Sequence, residues 1–280
     1  MRILCLHGHG TSPDVMKYQM SALARAADAS WEFHYLGGEE ACLPAPDIGG
    51  YFPEPYFCYS RNFDQESEDA AHALLEETIS QKGPFDGAFG FSQGASILVS
   101  YLIEQKMAYP NNILPFQFVI LCSVTVPLAS SLEYHQLLLG SLTAQDEARI
   151  RSCRDEEIAQ LPIETRTVIA FLVSVLDATE TITHESRSYF LDRPLSKIPS
   201  MLHPDICDIR LELPVLHVRG KTELPAIRDS GFLVERFFKS GKQRVFEHTA
   251  GHDVPRSGPE ARRMLSAMEW VIAQSQLPTY

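Results

Sequence analysis

Gly90-Phe91-Ser92-Gln93-Gly94 decides the fold, because this G-x-S-x-G serine sits between an apolar strand and an apolar helix. Before it, Phe85-Asp86-Gly87-Ala88-Phe89 reads as a short buried strand. After it, Ala95-Ser96-Ile97-Leu98-Val99-Ser100-Tyr101-Leu102-Ile103 reads as the start of a buried helix. A sharp strand-to-helix turn leaves a hydroxyl uncrowded and open to a base, which are the two needs of a serine nucleophile. Gly90 and Gly94 leave room for that turn. Five residues with three fixed positions recur by chance, so the flanks give the pentapeptide its weight.

Working outward, the same strand-then-helix order repeats. Arg2 to Leu6 is a first strand, and Ser12-Pro13 supplies an N-cap with proline at the first helical position. Glu32-Phe33-His34-Tyr35-Leu36 is a second strand. Residues 44–63, rich in proline, glycine and aromatics, read as a long structured loop, and a helix over 66–82 follows with Ala70, Ala73, Leu74 and Thr78 on one side. Phe116-Gln117-Phe118-Val119-Ile120-Leu121-Cys122-Ser123 has little polar interruption, as a parallel strand covered on both faces requires. Residues 131–200 turn to mixed charge and helix formers, a helical insertion able to act as a cap or lid. Leu213-Pro214-Val215-Leu216-His217-Val218-Arg219-Gly220 restores the strand pattern, a helix runs through 232–238, and Arg244-Val245-Phe246-Glu247-His248 is the last strand before a helix over 259–274. The expectation is a single α/β domain over 1–280, a doubly wound, mostly parallel sheet with one helical insertion.

Composition narrows the function classes. With 45% hydrophobic and 21% charged residues, the 280-residue chain is ordinary globular material. A net charge of −12 disfavours nucleic acid and anionic membranes as partners. The chain enters its first strand at once, and no apolar run is long enough for a membrane span, which points to a cytoplasmic protein. Six cysteines, at 5, 42, 58, 122, 153 and 207, show no C-x-x-C pair and read as free thiols. Their spacing gives no metal cluster, there is no Walker A sequence, and Pro13 breaks a G-x-G-x-x-G pattern at Gly8 and Gly10, so no cofactor is expected.

In enzymes built around such an elbow, an acid and a histidine follow the serine in chain order, each just beyond a strand. His252, in Ala250-Gly251-His252-Asp253-Val254-Pro255, follows the last strand and is the candidate general base; His248 and His217 lie within strands. Glu223, in Gly220-Lys221-Thr222-Glu223, is the favoured acid, with Asp229 the alternative and Asp253 too near His252 in sequence. A developing oxyanion needs fixed donors, and the backbone amides of Gln93 and of His9, in the turn His7-Gly8-His9-Gly10-Thr11, are the candidates.

Four blocks in order resemble the fungal FSH family of serine hydrolases, a branch of the α/β hydrolases: Leu4 to Thr11, Gly90 to Ala95, Pro214 to Gly220, and Gly251 to Pro255. The family usually carries aspartate where this chain has Glu223. The resemblance implies an α/β-hydrolase fold and an esterase or thioesterase that releases or edits polyketide products in fungal secondary metabolism, acting on a small-molecule acyl ester or thioester. An acyl carrier protein of a polyketide synthase is a candidate partner, with Arg149, Arg151 and Arg154, and Arg256, Arg262 and Arg263, as basic clusters within a chain otherwise acidic. The aromatic loop and the insertion around Phe171, Leu172, Val173 and Leu176 are placed to wall an acyl pocket, and read equally as ordinary core. Two other readings stay open: carbon–carbon bond hydrolysis or cyclisation by the same triad, and a non-catalytic binding protein on a hydrolase scaffold.

Overall fold

The computed structural model describes residues 1–277. In chain order the elements are β1 (Arg2–Leu6), α1 (Pro13–Gln19), α2 (Ser21–Ala26), β2 (Glu32–Leu36), β3 (Glu40–Cys42), β4 (Tyr56–Cys58), α3 (Gln65–Lys82), β5 (Gly87–Phe91), α4 (Gln93–Ala108) and β6 (Phe118–Cys122). Then come α5 (Leu132–Leu139), α6 (Ala144–Arg151), α7 (Asp155–Ile158), α8 (Ile163–Thr183), α9 (Arg187–Leu191) and a 3-10 turn at Leu195–Lys197. The chain ends with β7 (Val215–Gly220), α10 (Pro225–Glu235), β8 (Gln243–His248) and α11 (Gly258–Ser275).

Six strands form one sheet in the order β2-β1-β5-β6-β7-β8, every neighbouring pair parallel. Because side chains alternate across a strand, both faces of such a sheet need cover. In β1, Leu4 and Leu6 join the core shared with α3, α4, α8 and α10, while Ile3 and Cys5 join the core shared with α1, α2 and α11. In β6, Val119 and Leu121 face the first core and Phe118, Ile120 and Cys122 the second. The doubly wound arrangement is therefore written in the strand alternation, and the helices of 131–200 all fall between β6 and β7.

Four local expectations need correction. The 44–63 segment is not all loop: Tyr56–Cys58 pairs antiparallel with Glu40–Cys42 as a separate hairpin. The elbow strand begins at Gly87 rather than Phe85, because Asp86 turns aside to accept the Arg2 amide on its carboxylate at 2.7 Å. Helix α10 stops at Glu235, and Phe237 and Phe238 are buried beyond its end. Helix α3 turns inward not Ala70 and Ala73 but Ser67, Glu68, Ala71, His72, Leu75 and Thr78. A partly polar inner face is tolerated because partners await it: Ser67 Oγ donates to Asp64 at 2.7 Å, and His72 lies 3.3 Å from the Glu104 carboxylate.

The elbow itself is a close contact of backbones. A Cβ on Gly90 would lie 2.4 Å from Ala95 Cα, and one on Gly94 would lie 2.5 Å from the Leu6 carbonyl oxygen. Neither obstacle is a flexible side chain. Gly90→Ala is expected to destabilise the protein by about 3 kcal/mol or more, in the range of severe core defects; a urea midpoint close to wild type would contradict this packing.

Candidate active site

The residues singled out for chemistry all lie just beyond carboxyl ends of sheet strands, where open α/β sheets place their sites: His9 after β1, Ser92 after β5, Glu223 after β7 and His252 after β8. Ser92 holds φ 52° and ψ −118°, a left-handed backbone rare outside glycine, which sets its side chain at the N-terminus of α4. Its Oγ lies 3.0 Å from His252 Nε2. On the other side of that ring, Nδ1 lies 2.5 Å from Glu223 Oε1. With Nδ1–H donating to the carboxylate, Nε2 is left to accept the serine proton.

Glu223 is the carboxylate that folding brings to His252. Its side chain is 1% exposed, and its second oxygen accepts from the Gly220 amide and from Ser123 Oγ, each at 3.2 Å. Asp229 sits exposed within α10. Asp253 is engaged elsewhere, accepting from Gln19 Nε2 at 3.0 Å and pairing with Arg256. Ser123 escaped the sequence reading. It directly follows β6 with φ 50°, and that bend points its hydroxyl at Glu223.

A family model described as Serine hydrolase (FSH1) matches residues 1–264. Serine hydrolase cnsH of Penicillium expansum is 55% identical over 227 residues, covering 81% of this chain and 94% of that protein. Esterase alnB of Emericella nidulans is 29% identical over 280 residues, covering 98% of each. The chain belongs to the FSH1 serine hydrolase family. It is thus an enzyme of the α/β-hydrolase class, and the reading as a non-catalytic scaffold falls away.

Around Ser92 and His252 of this FSH1 hydrolase, two loops are braced by side chains that sequence left unassigned. Gln93, proposed for its amide, also uses its side chain: Oε1 accepts from the Tyr59 amide at 3.0 Å and Nε2 donates to the Ser60 carbonyl at 2.5 Å. The elbow is thereby tied to the segment after β4. His7 is buried, and that burial pushes its pKa down to about 4. Its neutral ring accepts from the Gly38 amide at 3.0 Å and donates to the Gly8 carbonyl at 2.7 Å, which fixes the turn carrying His9. The Gln93 amide lies in the first turn of α4, where N–H groups have no partner within the helix.

A narrow cavity adjoins Ser92, with His9 and Gln93 in its wall. Phe63, Ile97, Leu172, Val175 and Leu176 line it. Of the insertion residues weighed in the sequence, Leu172 and Leu176 face this space; Val173 and Phe171 pack elsewhere. One acidic residue joins the apolar wall. Glu68 of α3 is 1% exposed, its Oε2 has no hydrogen-bond partner, and burial pushes its carboxyl up to about 8. Its place within a helical pattern gave no sign of this.

Arg149, Arg151, Arg154, Arg256 and Arg263 each lie within ion-pair distance of a carboxylate, so these clusters are largely neutralised rather than basic patches. Among the described residues no helix is long and apolar enough to cross a membrane. All six cysteines are free, and folding brings together His9, Cys42 and Cys58, which are not neighbours in the chain.

Glu68 gives a pH signature. Its folded pKa lies above the unfolded value of about 4.3, so the stabilisation relative to the unfolded chain is complete at acid pH and is lost as pH rises toward about 8. Glu68→Gln is expected to remove a fall of a few kcal/mol in unfolding free energy between pH 5 and pH 8, read by urea denaturation at each pH. Equal pH slopes in both proteins would mean that Glu68 ionises in the folded state as it does in the unfolded chain.

Proposed function

We propose that Ser92 is the nucleophile of an ester or acyl-thioester hydrolase, and the observation that carries this reading is the unbroken relay Ser92–His252–Glu223 beside an apolar cavity. As Ser92 Oγ attacks the acyl carbonyl, its proton passes to His252 Nε2, and Glu223 stabilises the imidazolium that forms. The oxyanion of the tetrahedral intermediate lies toward the amides of Gln93 and His9, with the positive end of α4 adding to the field. His252 then gives the proton to the departing alcohol or thiol. Water enters, loses a proton to His252, attacks the acyl-enzyme, and releases the acid with Ser92 restored.

The acyl part of the substrate lies in the cavity of Phe63, Ile97, Leu172 and Leu176. Glu68, protonated at neutral pH, can donate a hydrogen bond there. An acyl chain that is mostly apolar but carries an oxygen along its length fits such a wall, which supports a polyketide-type acyl group over a plain hydrocarbon. The −12 net charge and the paired arginines favour a small-molecule ester or thioester over a substrate delivered by an acidic acyl carrier protein.

Intact-mass analysis after fluorophosphonate treatment is expected to reveal one adduct on the wild type and none on Ser92→Ala; labelling that persists in the variant places the nucleophile elsewhere. Glu223→Gln is expected to lower kcat on an acyl ester by roughly 10²–10⁴-fold. Asp229→Asn should leave it within about twofold, as an exposed helix residue does. The reverse order of effects would move the acid away from Glu223.

A further inference from the structure

Beside the serine centre lies a second group of reactive side chains that ester hydrolysis does not use. Cys42 and Cys58 occupy the two strands of the β3–β4 hairpin. Its register sets Cys42 opposite Tyr56 and Cys58 opposite Glu40, so the two thiols are diagonal neighbours on one face. His9 projects to them from the turn after β1. One ring nitrogen and the two sulfurs all lie within 4.8 Å of one another.

The imidazole is the informative member. His9 is 5% exposed, and neither of its ring nitrogens has a hydrogen-bond partner. A buried imidazole without partners is costly, and a bound group that accepts its lone pair removes the cost. The donors are also held firmly. Gly10 donates to the Phe57 carbonyl at 3.1 Å and Phe57 to the Thr11 carbonyl at 2.8 Å, so turn and hairpin are joined beside the cluster. Cys42 is only partly buried, which leaves a way in from solvent.

We propose that His9, Cys42 and Cys58 form a site for a thiophilic d10 cation, Zn²⁺ foremost, separate from the Ser92 chemistry. Two sulfurs and one imidazole are the donor set that such ions favour, three protein ligands leave one position for water, and carboxylate-preferring Mg²⁺ or Ca²⁺ would find nothing here. Binding Zn²⁺ releases the two thiol protons, so that two thiolates balance the charge of the ion. Tetrahedral coordination at ordinary Zn–S and Zn–N lengths sets ligand atoms about 3.5–3.8 Å apart, a contraction of roughly 1 Å at most, within reach of side-chain rotation. The bound ion would clip the hairpin to the turn that bears the His9 amide.

The test uses the full chain, purified metal-free under reducing conditions. Titration with Cd²⁺ is expected to give a thiolate-to-metal ultraviolet band that saturates at one equivalent, and Zn²⁺ should displace it and raise the melting temperature with concentration. Cys42→Ser combined with Cys58→Ser should abolish the band, and His9→Ala should weaken binding by more than the roughly 10–100-fold that loss of an outer partner costs. Ser92→Ala and Cys153→Ser should keep full uptake. Circular dichroism establishes folding of each variant, and Cys42→Ser alone, at the more exposed thiol, serves if the double variant does not fold. No band with the wild type, a band that survives Cys42→Ser, or oxidation of Cys42 and Cys58 to a disulfide with Zn²⁺ present would each overturn the proposal.

Discussion

The strained backbone of Ser92 is the constraint on which the rest of the site depends. A non-glycine residue at φ 52° costs on the order of 1–3 kcal/mol and persists only where its surroundings over-determine it. Here the Ser92 amide donates to the Cys122 carbonyl at 2.9 Å, the Gly94 amide donates to His7 at 3.1 Å, and the two glycines let α4 press against β1 and β5. Each of these bonds ties the elbow to a different strand end. The turn is therefore a property of the whole central sheet, and the hydroxyl position is inherited from β1, β5 and β6 together.

From that fixed point a chain of side-chain contacts extends outward to His252 and Glu223. His252 stands on a loop after β8, and Glu223 on a loop that curls back so that Gly220 can donate to its carboxylate. Glutamate is one methylene longer than aspartate. Its carboxylate is received by the Gly220 amide and the Ser123 hydroxyl as well as by His252, and these three partners settle where the longer side chain ends. The left-handed backbone at Ser123 repeats, at the end of β6, the device used at Ser92.

How much of this was legible in the sequence follows from the range of the interactions involved. Strand runs such as Val119-Ile120-Leu121 and the Ser12-Pro13 cap are local signals, and they were readable because periodicity and capping act over a few residues. That Ser92, His252 and Glu223 would meet was readable because strand ends are visible in the chain and each of the three follows one. Glu68, Ser123 and the grouping of His9 with Cys42 and Cys58 were hidden. Each depends on contacts between distant segments, and a glutamate inside a helix gives no sign in its own sequence that the space before it is apolar. The inner face of α3 was misjudged for the same reason: hydrophobicity marks Ala70 and Ala73 as buried, whereas the partners of Ser67 and His72 lie on Asp64, Glu104 and Ser130.

The position of the helices between β6 and β7 has a consequence for how such an enzyme diversifies. Leu172, Val175 and Leu176 of α8 form one wall of the cavity, while Ser92, Glu223 and His252 are all carried outside that segment. Accommodation and reactivity are thus encoded in separable stretches of the chain. A chimera that exchanged only 131–200 with that of a relative would remodel the wall of the cavity while the segments bearing Ser92, Glu223 and His252 kept their own sequence.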